Sequence, residues 1–197
     1  APFPIPPSSI GAVLLSHAHI DHSGALPRLG REGFRGPIYC TRGTADLLQI
    51  MLPDAAHLQE EEAEFANRHR TSKHEPALPL FTTADADRVL AQVRPVDFKE
   101  SFTPSPGVSA RFINAGHILG AGLVEVAIGG RTLVFSGDLG RYGVPIMRDP
   151  DPVPAADVLL VESTYGDRLH PADDSSDKLA TAVGRAAQQK GWLLIPA

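Results

Sequence analysis

Three imidazoles and a carboxylate fall within six residues of this chain, in His17-Ala18-His19-Ile20-Asp21-His22. Neutral imidazoles and ionised carboxylates are the donors that zinc takes, with manganese and iron served less selectively. A single histidine is more often a surface or satisfied core residue than a ligand. The spaced set His-x-His-x-Asp-His resists that reading, because each further ligand type makes coincidence rarer. It stands directly behind the apolar run Ala12-Val13-Leu14-Leu15. A run so short and non-alternating is the pattern of a strand buried on both faces. Alternate side chains of extended backbone share a side, so His17 and His19 are expected to project together from the strand's end. Asp21 and His22 then fall at the turn into a helix expected from near Ser23 to about Gly30. They would face the same hollow from another direction. Four donors are more than one ion needs from a single segment, and two half-sites would use them all.

The rest of the chain must supply a frame for that cluster. At 197 residues it can hold one domain with a substantial core, or one domain and part of a second. With 43% apolar and 21% charged residues it has the composition of an ordinary globular protein. No apolar stretch approaches the length of a membrane span, so no membrane partner is expected. The opening Ala1-Pro2-Phe3-Pro4-Ile5-Pro6-Pro7 reads as an extended linker and not as a signal peptide. Cys40 is the one cysteine, which excludes a disulfide within this sequence and argues for a cytoplasmic location. Within Pro37-Ile38-Tyr39-Cys40 it reads as a buried, inert thiol. The net charge of −5 does not advertise nucleic-acid binding. Local arginines and bound cations can still reverse the potential inside a cleft.

Taken in order, Ile38-Tyr39-Cys40 is expected as a second strand. Thr44 is a plausible N-cap for a helix over 45–51 stopped by Pro53, with another helix from Asp54 to about Arg70. Its acidic run Glu60-Glu61-Glu62 reads as a solvated face, and His57, His69 and His74 as surface residues. Thr82-Thr83-Ala84-Asp85 has capping-box spacing and predicts a helix to about Gln92. Val96-Asp97-Phe98 is a candidate strand, 103–107 a loop, and Ser109 to Asn114 a strand. Leu123 to Ile128 alternates as a half-buried strand should, and Gly129-Gly130 signals a hairpin into Thr132 to Ser136. Val158 to Val161 reads as a buried strand, 177–190 as a helix, and Trp192 to Ile195 as a last strand.

Three of these strands end in polar groups, two of them beside glycine: Gly116-His117, Ser136-Gly137-Asp138 and Glu162-Ser163-Thr164-Tyr165-Gly166. Glycine there permits sharp turns and close backbone approach. Together with His17 to His22 they supply the parts of a dinuclear centre. The succession His17-x-His19-x-Asp21-His22, Gly116-His117 and Ser136-Gly137-Asp138 resembles the metal-binding motifs of the metallo-β-lactamase superfamily. Phe135-Ser136-Gly137-Asp138-Leu139-Gly140-Arg141, followed by Glu162-Ser163-Thr164-Tyr165-Gly166-Asp167-Arg168, resembles its β-CASP branch of RNA-processing nucleases. The likeness runs from about Ile10 to Ala197.

That resemblance implies an α/β fold of the αββα-sandwich type, two mixed β-sheets flanked by helices, present in part. It implies a metallo-β-lactamase-like domain over residues 1–170 and the start of a β-CASP domain over 171–197. His17, His19 and His117 would hold one zinc, Asp21 and His22 the other, and Asp138 would bridge both. Asp21, Asp138 and Glu162 are the implied catalytic residues. Two zinc ions sharing a hydroxide would serve an in-line phosphoryl displacement. Glu162 would support the leaving-group side by orienting a histidine that acts as general acid. His170 closes the same motif, with a role near the site and a plain surface role both open. The family pattern also has strands and an aspartate ahead of this stretch, and two histidine motifs beyond Ala197. The residues at hand are therefore expected to be a fragment of that pattern, inactive or poorly folded if isolated.

The leading expectation is a metal-dependent ribonuclease that hydrolyses phosphodiester bonds of single-stranded RNA; a homodimer is compatible with it. The alternative is a small-molecule hydrolase of thioesterase or lactonase type, which would share the metal ligands but has no need of the Glu162 segment. A scaffolding pseudo-nuclease is disfavoured, because no expected ligand in this span is replaced.

Overall fold

The computed structural model describes residues 2–169 and 175–195. His170, and with it the question of its role, lies outside the described residues, as do 171–174 of the expected second domain. Two compact units divide between Glu162 and Ser163. The first carries all eight described strands and the metal-ligand candidates.

Strands β1 (Val13–Leu14), β2 (Ile38–Thr41) and β3 (Val93–Val96) form a parallel sheet in that order. Strands β4 (Phe102–Ser105), β5 (Val108–Asn114), β6 (Gly122–Ile128), β7 (Arg131–Phe135) and β8 (Val158–Leu160) form a second sheet. That sheet is antiparallel except for the parallel pair β7–β8. Gly129 and Gly130 turn β6 into β7 with φ of 58° and 74°, the left-handed pair that a tight hairpin turn demands.

Period-two alternation sorts the strand side chains among three hydrophobic clusters. On β2, Ile38 and Cys40 face helices α2 (Leu26–Arg31), α3 (Arg42–His69) and α4 (Thr83–Leu90), where they join Leu29, Leu48, Leu52, Ala86 and Val89. Tyr39, between them, faces the other sheet and packs with Phe102, Phe112 and Val124. The Tyr39 and Phe102 ring centroids are 4.7 Å apart. On the far side of the second sheet, Ile113, Leu123 and Val134 pack with Ala115, Ala121 and Leu139. The architecture is thus the two-sheet α/β sandwich with flanking helices.

Several elements differ from the sequence reading. The first helix, α1, spans Ile20–Ser23, so Asp21 and His22 lie within it and His19 is its N-cap. The two helices expected either side of Pro53 are one 28-residue helix, capped by Thr41 and not by Thr44. An interior proline costs about 3 kcal/mol. Thr44, Ala45, Leu48, Leu52 and Ala56 form one buried stripe running past it. Leu48 and Leu52 alone offset the cost, at about 1.5–3 kcal/mol each. The residues 103–107 are not all loop: β4 includes Pro104, which an edge strand tolerates because it has one ladder to serve. The strand expected at 96–98 lies earlier, at β3. In the second unit α5 spans Ser175–Gln188. Trp192 to Ile195 carries no strand, having no ladder partner among the described residues. The capping box at Thr82 and Asp85 forms as read.

Candidate metal centre

The site lies where the two sheets meet. The Gly122 N–H, at the start of β6, donates to the Ser16 carbonyl just past β1 at 2.9 Å, tying one sheet to the other beside His17. From one side come His17 and His19, beyond β1, and His22 on α1. From the other come His117, on the β5–β6 connection, and Asp138, after β7.

Four ligand atoms, one each from His17, His19, His117 and Asp138, lie within 4.8 Å of one another. His19 Nδ1 is 3.1 Å from His17 Nε2 and 3.2 Å from His117 Nε2. Asp138 Oδ2 is 3.6 Å from His17 Nε2 and 3.4 Å from His117 Nε2. Four donors bound tetrahedrally to one zinc would stand about 3.3 Å apart. Three imidazole nitrogens and a carboxylate oxygen at this spacing converge as ligands do, and they fit the metal.

The other carboxylate oxygen looks elsewhere. Asp138 Oδ1 is 3.2 Å from His22 Nε2, and the same nitrogen is 3.5 Å from Asp21 Oδ2. Asp138 therefore divides its two oxygens between the deep histidine group and the pair His22–Asp21. The Asp21 side chain is 76% exposed and stands at the rim.

Charge state favours ligation. Burial first, and then the neighbouring His22, push the His17 imidazolium down to about 4, against the opposing pull of Asp138. Burial likewise lowers His117. Deprotonated rings are what a metal ligand must be. His17 Nδ1 lies 3.1 Å from Ser16 Oγ. With the Nδ1 proton donated to that hydroxyl, the Nε2 lone pair points into the hollow.

Sequence reasoning assigned no role to Ser16, although a hydroxyl immediately ahead of the first histidine was the available signal. It also missed the clamp behind His117. Thr41 and Thr44, both buried, donate their hydroxyls to the Gly120 carbonyl, Thr44 at 3.0 Å. Gly120 has φ 79°, and a Cβ there would meet the Thr44 nitrogen at 2.2 Å. The N-terminus of α3 thus presses directly on the turn that carries His117. No local sequence pattern could reveal that pairing, because its partners are 76 residues apart.

Glu162 reaches the residue that follows Asp138. Its Oε1 accepts the Leu139 N–H at 2.7 Å. His57, His69 and His74 are exposed, on α3 or the segment after it, and bring nothing to the site. Cys40 is buried, and burial pushes its thiol up to about 12, as an inert core cysteine requires.

The family profile for the beta-lactamase superfamily domain matches residues 1–189. The chain belongs to that superfamily. Among curated superfamily relatives, it is 39% identical to Ribonuclease TTHA0252 of Thermus thermophilus over its whole length, which is 42% of that protein. It is 30% identical to Transcription termination factor FttA of Methanocaldococcus jannaschii, over 95% of this chain and 28% of that one. It therefore spans less than half of either relative. Among solved structures, a motif mutant of a Cronobacter sakazakii metallo-β-lactamase covers 71% of this chain and 45% of its own, at TM-score 0.44 and 19% identity.

Proposed function

We propose that this chain carries the metal-binding part of a β-CASP-type ribonuclease that hydrolyses phosphodiester bonds of single-stranded RNA. The observation that carries the reading is the division of the Asp138 carboxylate between two groups of donors. One group is His17, His19 and His117, and the other is His22 and Asp21. A ligand placed between two half-sites is what a dinuclear hydrolase needs and a structural zinc site does not. The printed names of the two relatives, a ribonuclease and a transcription termination factor, support RNA as the substrate class.

In this reading His17, His19, His117 and Asp138 hold one zinc, and Asp138, His22 and Asp21 take part in holding a second. Such ions, when bound, lower the pKa of water and neutralise charge on phosphate oxygens. The chain's own contribution is orientation. Ser16 fixes the His17 ring, the Thr41–Thr44 clamp fixes the turn after His117, and the short helix α1 presents His22. Depressed imidazole pKa values keep His17 and His117 free of protons at neutral pH.

The test is metal content of the full-length protein by elemental analysis, beside cleavage of end-labelled single-stranded RNA, with Asp138→Ala as the control. About two zinc ions per chain, and cleavage that the variant loses, is the expected result. Two metals with turnover of a thioester or lactone and none of RNA would replace this reading by the small-molecule hydrolase. A metal-free protein that still cleaves RNA would overturn the metal reading.

A further inference from the structure

Asp138 carries the division between the half-sites, yet it belongs to no helix or strand. It sits in Ser136-Gly137-Asp138-Leu139-Gly140, where Gly137 turns with φ 54°. A carboxylate on such a segment can be aimed only by what grips the backbone around it. Some of that grip comes from the sheet: the Ser136 N–H donates to the Leu160 carbonyl, and the Gly140 N–H to the Ala115 carbonyl at 2.8 Å. Within the segment Ser136 Oγ donates to the Gly137 carbonyl at 2.6 Å, and two further bonds come from one residue. The Glu162 N–H donates to Ser136 Oγ at 3.0 Å, and Glu162 Oε1 accepts the Leu139 N–H at 2.7 Å. Glu162 thus holds the segment two residues before Asp138 and one residue after it.

We infer that Glu162 is the positioning residue of the bridging aspartate, holding Asp138 between the half-sites through the Leu139 amide. This rests on the reading that the site binds metal, and it assigns the Glu162 carboxylate a task separate from any at a leaving group. The physical reason is the geometry of the bond: an oxygen at the end of this side chain accepts the Leu139 N–H at 2.7 Å, which a carboxylate or an amide oxygen can do. A group that orients a ligand typically governs metal affinity by about 10–100-fold. The Leu139 amide is one residue from the ligand, so a small turn of this peptide redirects both Asp138 oxygens.

The test compares Glu162→Gln with Glu162→Ala in the full-length protein. Glutamine keeps an oxygen able to accept the Leu139 N–H, and alanine does not. Two readouts are independent of catalysis: hydrogen exchange of the Leu139 amide in metal-free protein, and cobalt(II) affinity followed by its visible absorption. In Glu162→Ala, Leu139 exchange is expected to rise by at least about tenfold and cobalt affinity to fall by at least about tenfold. In Glu162→Gln both should stay within about threefold of the parent, with exchange of the core amides Phe112 and Val124 unchanged. Ser136→Ala, which removes the other grip, should shift both readouts in the same direction by less. If Glu162→Ala fails to fold, Glu162→Leu, which keeps much of the side-chain volume and offers no acceptor, takes its place: unchanged Leu139 exchange and cobalt affinity in that variant would overturn the proposal.

Two further results would overturn it. One is parental exchange and affinity in Glu162→Ala together with lost RNA cleavage, which would put Glu162 at the substrate. The other is equal loss in both Glu162 variants, which would make its charge and not its bond the active property. If the parent binds cobalt and shows the Gln–Ala difference but cleaves no RNA, the nuclease reading falls and this assignment stands.

Discussion

The two halves of the metal centre are built differently. The deep half takes His17 from the end of a buried parallel strand, His19 two residues on, and His117 from a turn clamped by α3. His17 is fully buried, and its ring is held by a neighbouring hydroxyl. The rim half rests on a single turn of helix, with His22 partly open and Asp21 mostly solvated. The first set of ligands is held by the fold itself. The second would still have to be ordered by any ion it held, and ordering side chains costs free energy. The difference teaches that the two groups of donors should not be equivalent, even though Asp138 has an oxygen beside each.

Removing what they share should have the largest effect. Asp138→Ala is expected to weaken metal binding at both sites by at least about a hundredfold, since a direct ligand outweighs an orienting group. Isothermal titration with zinc checks this, and parental affinity at either site would break the scheme. Zinc titration of the parent should next resolve two phases separated by at least about tenfold, the pre-ordered site filling first. His117→Ala should remove the tighter phase and Asp21→Ala only the weaker. Loss of the tighter phase in Asp21→Ala would reverse the ranking.

The same contrast predicts a pH dependence of the metal-free fold. The His17 pKa is lowered in the folded state, from 6.5 to about 4. Between those values the unfolded chain binds the extra proton, so stability is full above 6.5 and lost as pH falls toward 4. The loss is on the order of 3 kcal/mol. Urea midpoints of metal-stripped protein at pH 7 and pH 5 measure it, and His17→Gln should flatten the difference. A midpoint in the parent that does not fall with acid would show His17 to be charged inside the fold. The smallest effect concerns the clamp. Thr44→Val, which keeps shape and removes one of two hydroxyls at the Gly120 carbonyl, should cost about 1 kcal/mol. The change in thermal midpoint reads it, and no change would mean that Thr41 suffices.

Much of this was legible in the sequence where chemistry is local. His17, His19, Asp21 and His22 declare themselves by type and spacing. The capping box at Thr82–Asp85 and the Gly129-Gly130 turn obey rules that span four residues or fewer. What was not legible depends on partners distant in sequence. Pro53 reads as a helix stop unless one knows that the stripe from Thr44 to Ala56 is buried along its whole length. Pro104 reads as loop unless β4 is known to be an edge. Thr44 was read as a cap, but Thr41 holds that place, and both hydroxyls serve Gly120. Glu162 could be singled out from its motif. That its carboxylate would meet the Leu139 amide follows only from the pairing of β7 with β8, which carries Ser136 and Glu162 to the same end of the sheet.

The buried thiol of Cys40 has a practical side. Reaction with a maleimide proceeds through the thiolate, and a group at about 12 in the core offers almost none at neutral pH. Within this chain a cysteine introduced at an exposed position, such as His57 on α3, would therefore take a fluorophore or spin label alone. Movements of α3 could be followed in solution without first deleting the native sulfur.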